Sequence, residues 1–213
     1  MPDLKPEIDR FRNWADARFP EARFGEWECE YEHWPALYAA VFEFLSAKSV
    51  ETWTDEEVRS VLYAVARDNE PEHLAGEMRR RHPTTLVSLA RSALQFGERD
   101  AKWQLAEELG HLGQRGGEAE ELLLILVRDE AEYVRRRALR ALARLGSPAV
   151  EELAMEAWHR PNPAQEYARM MALWSLHRVG SPHLQRLLAK AEADERPYLS
   201  AYAVQVRRGE VDA

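Results

Sequence analysis

EYVRRRALRALARLGSP, at Glu132–Pro148, recurs as EYARMMALWSLHRVGSP at Glu166–Pro182, 34 positions later. The Tyr, Arg, Ala-Leu, Leu and Gly-Ser-Pro positions all coincide. A weaker copy, DAKWQLAEELGHLG, spans Asp100–Gly113, 33 positions before the middle one, and PYLSAYAVQVRRG at Pro197–Gly209 reads as a degraded terminal copy. A repeat this short cannot bury an apolar face alone, so successive copies must stack. The repeat therefore dictates an all-α chain, an α-solenoid of helix pairs.

The periodicity outside the repeat agrees. From Thr54 onward, apolar residues recur at three- and four-residue spacing with breaks at Gly or Pro. Helices are expected at about 54–68, 71–82, 83–96, 100–112, 117–128, 131–145, 148–159, 163–179, 182–194 and 197–208. Thr54 and Glu57 have the spacing of a capping box. Gly113, Gly146 and Gly180 stand where a helix C-terminus wants a cap, and Pro148 and Pro182 suit the first turn that follows. Earlier in the chain, helices are expected within 4–18 and 35–46. Between them, FGEWECEYEHW alternates glutamate with aromatic and other residues. A lone strand would have no ladder partner, so an ordered extended connector is expected there. The chain thus divides into an N-terminal helical cap over 1–53 and a repeat region over 54–213, best defined over 100–209.

The Asp/Glu-led turn, then Val-Arg, Ala-Leu, Leu and Gly, resembles the HEAT repeats of the phycobilisome-lyase-like type. The resemblance is strongest in the two central copies, weak at residues 100–113 and 197–209, and absent from 1–53. It implies a right-handed solenoid, and it says far less about function than about fold. Tetratricopeptide arrays have a similar period, but their W-x-x-L-G-x-x-Y pattern is missing.

On a helical wheel of about 100° per residue, Val134, Ala138, Leu139, Leu142 and Leu145 form one stripe, and Arg135 falls inside it. Its equivalents are Lys102 and Arg169, so a cation recurs at one stripe position in three copies. A charge there needs a partner. The acids at the head of each copy, Asp100, Asp129, Glu132 and Glu166, are candidates for a ladder of acid–base pairs between repeats. Arg136, Arg137, Arg140 and Arg144 lie on the opposite face. The next copy has Met170, Met171 and Trp174 at the first three of these positions, and the earlier copy has Trp103, Gln104 and Glu107. Trp103, Arg136, Arg137, Arg140, Met170 and Trp174 are therefore the candidate partner-binding residues, of types enriched at interface hot spots.

Catalytic chemistry finds little support. Three Glu-x-x-His pairs occur, Glu30/His33, Glu70/His73 and Glu108/His111, but the first lies in the alternating segment and the second is interrupted by Pro71. The deoxyhypusine hydroxylases, HEAT-repeat enzymes, bind di-iron through His-Glu dipeptides, and this sequence has none. The HEAT-like alkylpurine DNA glycosylases hold DNA with cations and aromatics that Trp103, Arg136, Arg137, Arg140 and Trp174 could imitate. No motif places a catalytic carboxylate among them. GQRGGE at 113–118 lacks the Lys-Ser/Thr of a phosphate loop. No metal and no cofactor is expected. The single cysteine, Cys29, excludes an intrachain disulfide, and its glutamate neighbours disfavour a reactive thiolate.

With 213 residues and a formal net charge of −8, the chain should not be drawn generally to nucleic acid or an anionic membrane. No leader or transmembrane run stands out, so the expected location is the cytoplasm. The expected function is a non-catalytic scaffold or adaptor that binds another protein. Its acidity suits a basic partner, as in inhibitor or immunity pairs. Nucleic-acid binding with base repair is the alternative.

Overall fold

In the computed structural model, residues 4–18, 27–96, 98–113, 115–161 and 165–211 are described. Among them are twelve α-helices and no strand: α1 Lys5–Asp16, α2 Trp34–Ala47, α3 Asp55–Arg67, α4 His73–Arg81, α5 Pro83–Phe96, α6 Arg99–Leu109, α7 Glu118–Leu126, α8 Glu132–Leu145, α9 Val150–His159, α10 Gln165–Arg178, α11 Leu184–Glu192 and α12 Pro197–Arg208. The chain forms two compact units, residues 1–108 and 109–213. No helix among the described residues is long and apolar enough to cross a membrane.

The first unit is built around aromatic rings. Phe11 of α1, fully buried, meets Tyr31 edge-on at 4.6 Å, Trp34 at 5.2 Å and Tyr63 at 5.7 Å. Trp14 stacks on Trp27 at 5.7 Å. The described part of the alternating segment is not extended: Trp27–Glu30 is a 3-10 turn. Residues 24–26 of that segment lie outside the described residues. The aromatic residues at 27, 31 and 34 carry the physical reason. Their spacing is helix-like, and a tight turn aims all three at the Phe11 cluster, where ring burial outweighs alternation. Downstream, the capping box of α3 forms as its sequence demands. Thr54 Oγ1 accepts from the Glu57 backbone N–H at 3.3 Å, and Glu57 Oε2 accepts from that of Thr54 at 2.7 Å. The loop after α3 is tied down by Asp68, which is fully buried. Its carboxylate accepts from the Leu74 N–H at 2.6 Å and from the Tyr38 hydroxyl at 2.5 Å. α6 joins this unit through Gln104, whose buried amide donates to the Val65 carbonyl of α3 at 2.6 Å.

In the second unit α8, α10 and α12 lie side by side, with α7, α9 and α11 packed against them. Each first-row helix ends the same way. Gly146, Gly180 and Gly209 adopt φ of +68°, +66° and +68°, and the N–H groups of Ser147, Ser181 and Glu210 reach back to the carbonyls of Leu142, Leu176 and Gln205 at 3.0, 2.9 and 3.0 Å. This closing turn needs a left-handed residue, which glycine adopts without a Cβ penalty. The terminal copy, degraded in sequence, keeps it.

One glycine matters for a different reason. At Gly110, just past α6, an added Cβ would lie 2.6 Å from Ala141 Cα and 2.7 Å from Ala141 Cβ. The backbone of α8 passes too close for any side chain. Gly110→Ala is therefore expected to cost about 1–3 kcal/mol. Urea denaturation should show its midpoint falling with the slope unchanged.

Candidate functional site

The arginines of α8 divide by environment, as the wheel requires. Arg135 is half-buried, and its Nη1 donates to the carbonyls of Asp129 and Glu130, both at 2.7 Å. Its counterpart Arg169 donates through Nε to the Trp158 carbonyl near the end of α9, at 3.2 Å. Arg169 Nη1 also pairs with Asp194 at 3.2 Å. Both arginines thus satisfy carbonyls left over at or just beyond the end of the preceding helix, where a cation is also favoured by the helix dipole. Burial pulls both guanidinium pKa values below their ordinary value.

The acids at the head of each copy serve the backbone as much as the arginines. Asp129 and Asp194 each accept the N–H two residues on, from Ala131 at 2.9 Å and Arg196 at 3.1 Å. Glu166 Oε1 accepts the Leu199 N–H in the first turn of α12 at 3.0 Å, linking one copy to the next. Glu132 pairs instead with Arg136 at 3.1 Å. Lys102 sits half-buried on α6 in the first unit. The hydrogen-bonded Arg196 guanidinium, with Arg169 beside it, holds Asp194 down at about 2.

On the outer side, Tyr133, Arg137, Arg140 and Arg144 fall at helix-turn intervals along α8. Arg136 lies over the rings of Tyr133 at 4.7 Å and Tyr167 at 5.2 Å, so one guanidinium bridges two successive copies. Arg137 stands over Tyr133 at 5.0 Å and donates to its hydroxyl at 2.5 Å. Arg140 and Arg144 cover Trp174 of α10, at 5.5 and 5.9 Å. Trp174 is therefore only 7% exposed, and Met170 is half-buried. The structure gathers Arg136, Arg137, Arg140, Met170 and Trp174 on the α8 and α10 surface of the second unit. Trp103 belongs to the first unit, on α6, where it is 6% exposed.

Sequence reasoning left out the tyrosines. Tyr133, Tyr167 and Tyr198 occupy the same early position of α8, α10 and α12, and the last two are 46% and 66% exposed. Tyr202 stands one turn further along α12. Burial pushes its phenol up to about 12, against the pull of Arg140. The repeated Tyr is visible in the repeat itself, but nothing in the sequence shows that Arg136 spans the rings of two successive copies.

Among the described residues no group of three or more His, Cys, Asp or Glu side chains could hold a metal ion. The Glu-x-x-His residues are engaged elsewhere: Glu30 pairs with Arg18, Glu108 pairs with Arg79, and His73 meets the rings of Tyr38 and Phe42.

Two outcomes follow from this geometry. Arg135→Ala and Arg169→Ala should each lower stability by about 1 kcal/mol, because part-buried carbonyls lose their donors; thermal melts check this. Asp194 has a folded pKa below its ordinary 3.8, so its stabilisation is complete above that pH and is lost as pH falls through about 2. Asp194→Asn should therefore flatten the fall in melting temperature between pH 4 and 2, at some cost near neutrality.

No curated protein matches the chain. Residues 119–206, which span the Arg–Tyr surface, match the family model for HEAT repeats, and this stretch of paired helices is accordingly of the HEAT-repeat type.

Proposed function

We propose that this protein is a non-catalytic binding module that grips another protein through the α8, α10 and α12 surface of its second unit. The observation that carries this reading is the row of tyrosines at one repeat position, two of them well exposed, with Arg136 held between the first pair of rings. Tyrosine and arginine supply rigid contact area with a polar tip, and both are over-represented where binding energy concentrates. HEAT-type arrays commonly serve as protein-interaction scaffolds, which supports the same class of function.

A scaffold or inhibitor role within the cytoplasm belongs to this reading. The next copy argues against phosphate tracking. A groove that follows a nucleic-acid strand wants cations in successive repeats, whereas α10 offers Met170, Met171 and Trp174 at the matching positions.

The test is comparative affinity capture from the native host with the wild-type chain and a Tyr167→Ala/Tyr198→Ala variant. Both side chains are exposed, so the variant should melt within about 1 kcal/mol of wild type. A partner captured by wild type should be lost or reduced at least tenfold with the variant. Equal recovery of the same partner from both would overturn the assignment of this surface.

A further inference from the structure

The helices of the second unit differ in charge by row. α8, α10 and α12 hold five, two and two arginines, against one glutamate each in α8 and α10 and none in α12. The helices packed against them reverse the balance. α7 and α9 hold three glutamates each and neither lysine nor arginine, and α11 holds one glutamate with Arg186 and Lys190. Both glutamates of the first row are engaged inside the fold: Glu132 pairs with Arg136, and Glu166 accepts the Leu199 N–H. Arg135 and Arg169 are engaged likewise, on backbone carbonyls, and Arg207 turns to Glu192 of α11. The surplus of positive charge therefore lies along the outer side of α8.

Arg137, Arg140 and Arg144 are held there over the rings of Tyr133 and Trp174. Each is half-buried, so part of it still meets solvent. A ring face fixes a guanidinium without cancelling its charge, and the fork of N–H donors matches a carboxylate. Arginines immobilised in this way lose less entropy on binding than free ones. The charge of Arg140 also acts on the phenol of Tyr202 in α12, so the basic strip and the exposed rings of Tyr167 and Tyr198 belong to one surface. The strip runs along α8 for about 10 Å and does not continue across the copies, since α12 has Tyr202, Gln205 and Gly209 at the matching positions. A short charged strip bordered by rings suits a segment of polypeptide that mixes carboxylates with apolar side chains.

We infer that the α8, α10 and α12 surface binds a carboxylate-rich segment of its protein partner, with Arg137, Arg140 and Arg144 receiving the carboxylates and Tyr167 and Tyr198 the apolar side chains beside them. This sign is opposite to the one that the net charge of −8 suggests. The inference rests on the reading of this surface as a protein-binding site and adds the chemistry of the partner.

The test is fluorescence anisotropy of the full chain with a short fluorescein-labelled peptide in which pairs of glutamates flank single leucines. The same peptide with lysine for glutamate and an oligothymidylate of equal charge serve as comparison probes. The glutamate peptide should bind saturably and at least tenfold more tightly than either. Arg140→Glu/Arg144→Glu should weaken it at least tenfold. Should that variant lose its fold, Arg140→Gln/Arg144→Gln should weaken it at least threefold. Glu121→Lys/Glu152→Lys, at exposed positions of α7 and α9, makes an equal and opposite change of charge and should alter the affinity less than twofold. The inference is overturned if the glutamate peptide does not bind, if the lysine peptide binds as tightly, or if the folded arginine variants bind as wild type does. An oligothymidylate that binds as tightly would overturn it too, marking a phosphate surface instead. Partner capture that depends on Tyr167 and Tyr198, with no binding of the glutamate peptide, would leave the surface assignment standing and refute its preference for acid alone.

Discussion

A helix with apolar residues on every side needs neighbours on every side. α10 meets this condition: Ala172, Leu173, Trp174, Ser175 and Leu176 are buried in succession, and the helix packs against α8, α9, α11 and α12. α8, by contrast, keeps one surface for solvent and fills it with arginine. The change from Arg136, Arg137 and Arg140 to Met170, Met171 and Trp174 between two otherwise matched copies thus accompanies a change of surroundings, with α10 packed against four helices while Tyr167 stays exposed.

The arginines show how the same side chain is used in two ways a single turn apart. Arg135 and Arg169 lie inside the apolar stripe, and a charge there is tolerable only when hydrogen-bonded. Backbone carbonyls provide those bonds, from Asp129 beyond the end of α7 and from Trp158 in the last turn of α9. A backbone carbonyl is present whatever the side-chain sequence, so the place of the acceptor can differ between copies. Arg136 pairs with Glu132, and it, Arg137, Arg140 and Arg144 are half-buried like Arg135. Their guanidinium planes lie over tyrosine and tryptophan rings.

Most of the architecture was legible because it rests on period. The helix from Thr54 onward follows from its capping box, and the ends at Gly146 and Gly180 follow from glycine at a fixed place in the repeat. Burial of Val134, Ala138, Leu139, Leu142 and Leu145 follows from the 3.6-residue stripe. Three things were not legible. The turn at Trp27–Glu30 was masked by alternating glutamates, since local alternation says nothing about which distant rings will gather around Phe11. The need for glycine at 110 arises from the approach of Ala141, thirty-one residues away, and leaves no local mark. The buried carboxylates Glu28 and Asp68 stand in segments that read as solvated and polar. Only packing reveals that both are buried.

Net charge averages over surfaces that differ locally. The value of −8 suits a basic partner when read over the whole chain, yet a partner responds to fields within about one Debye length, roughly 8 Å at physiological salt. On that scale local surroundings depart from the chain average. α8 carries five arginines and one glutamate, whereas Arg67 at the end of α3 is flanked by Glu28 and Asp100. The field at any one surface is therefore set by its own side chains and not by the chain's overall charge.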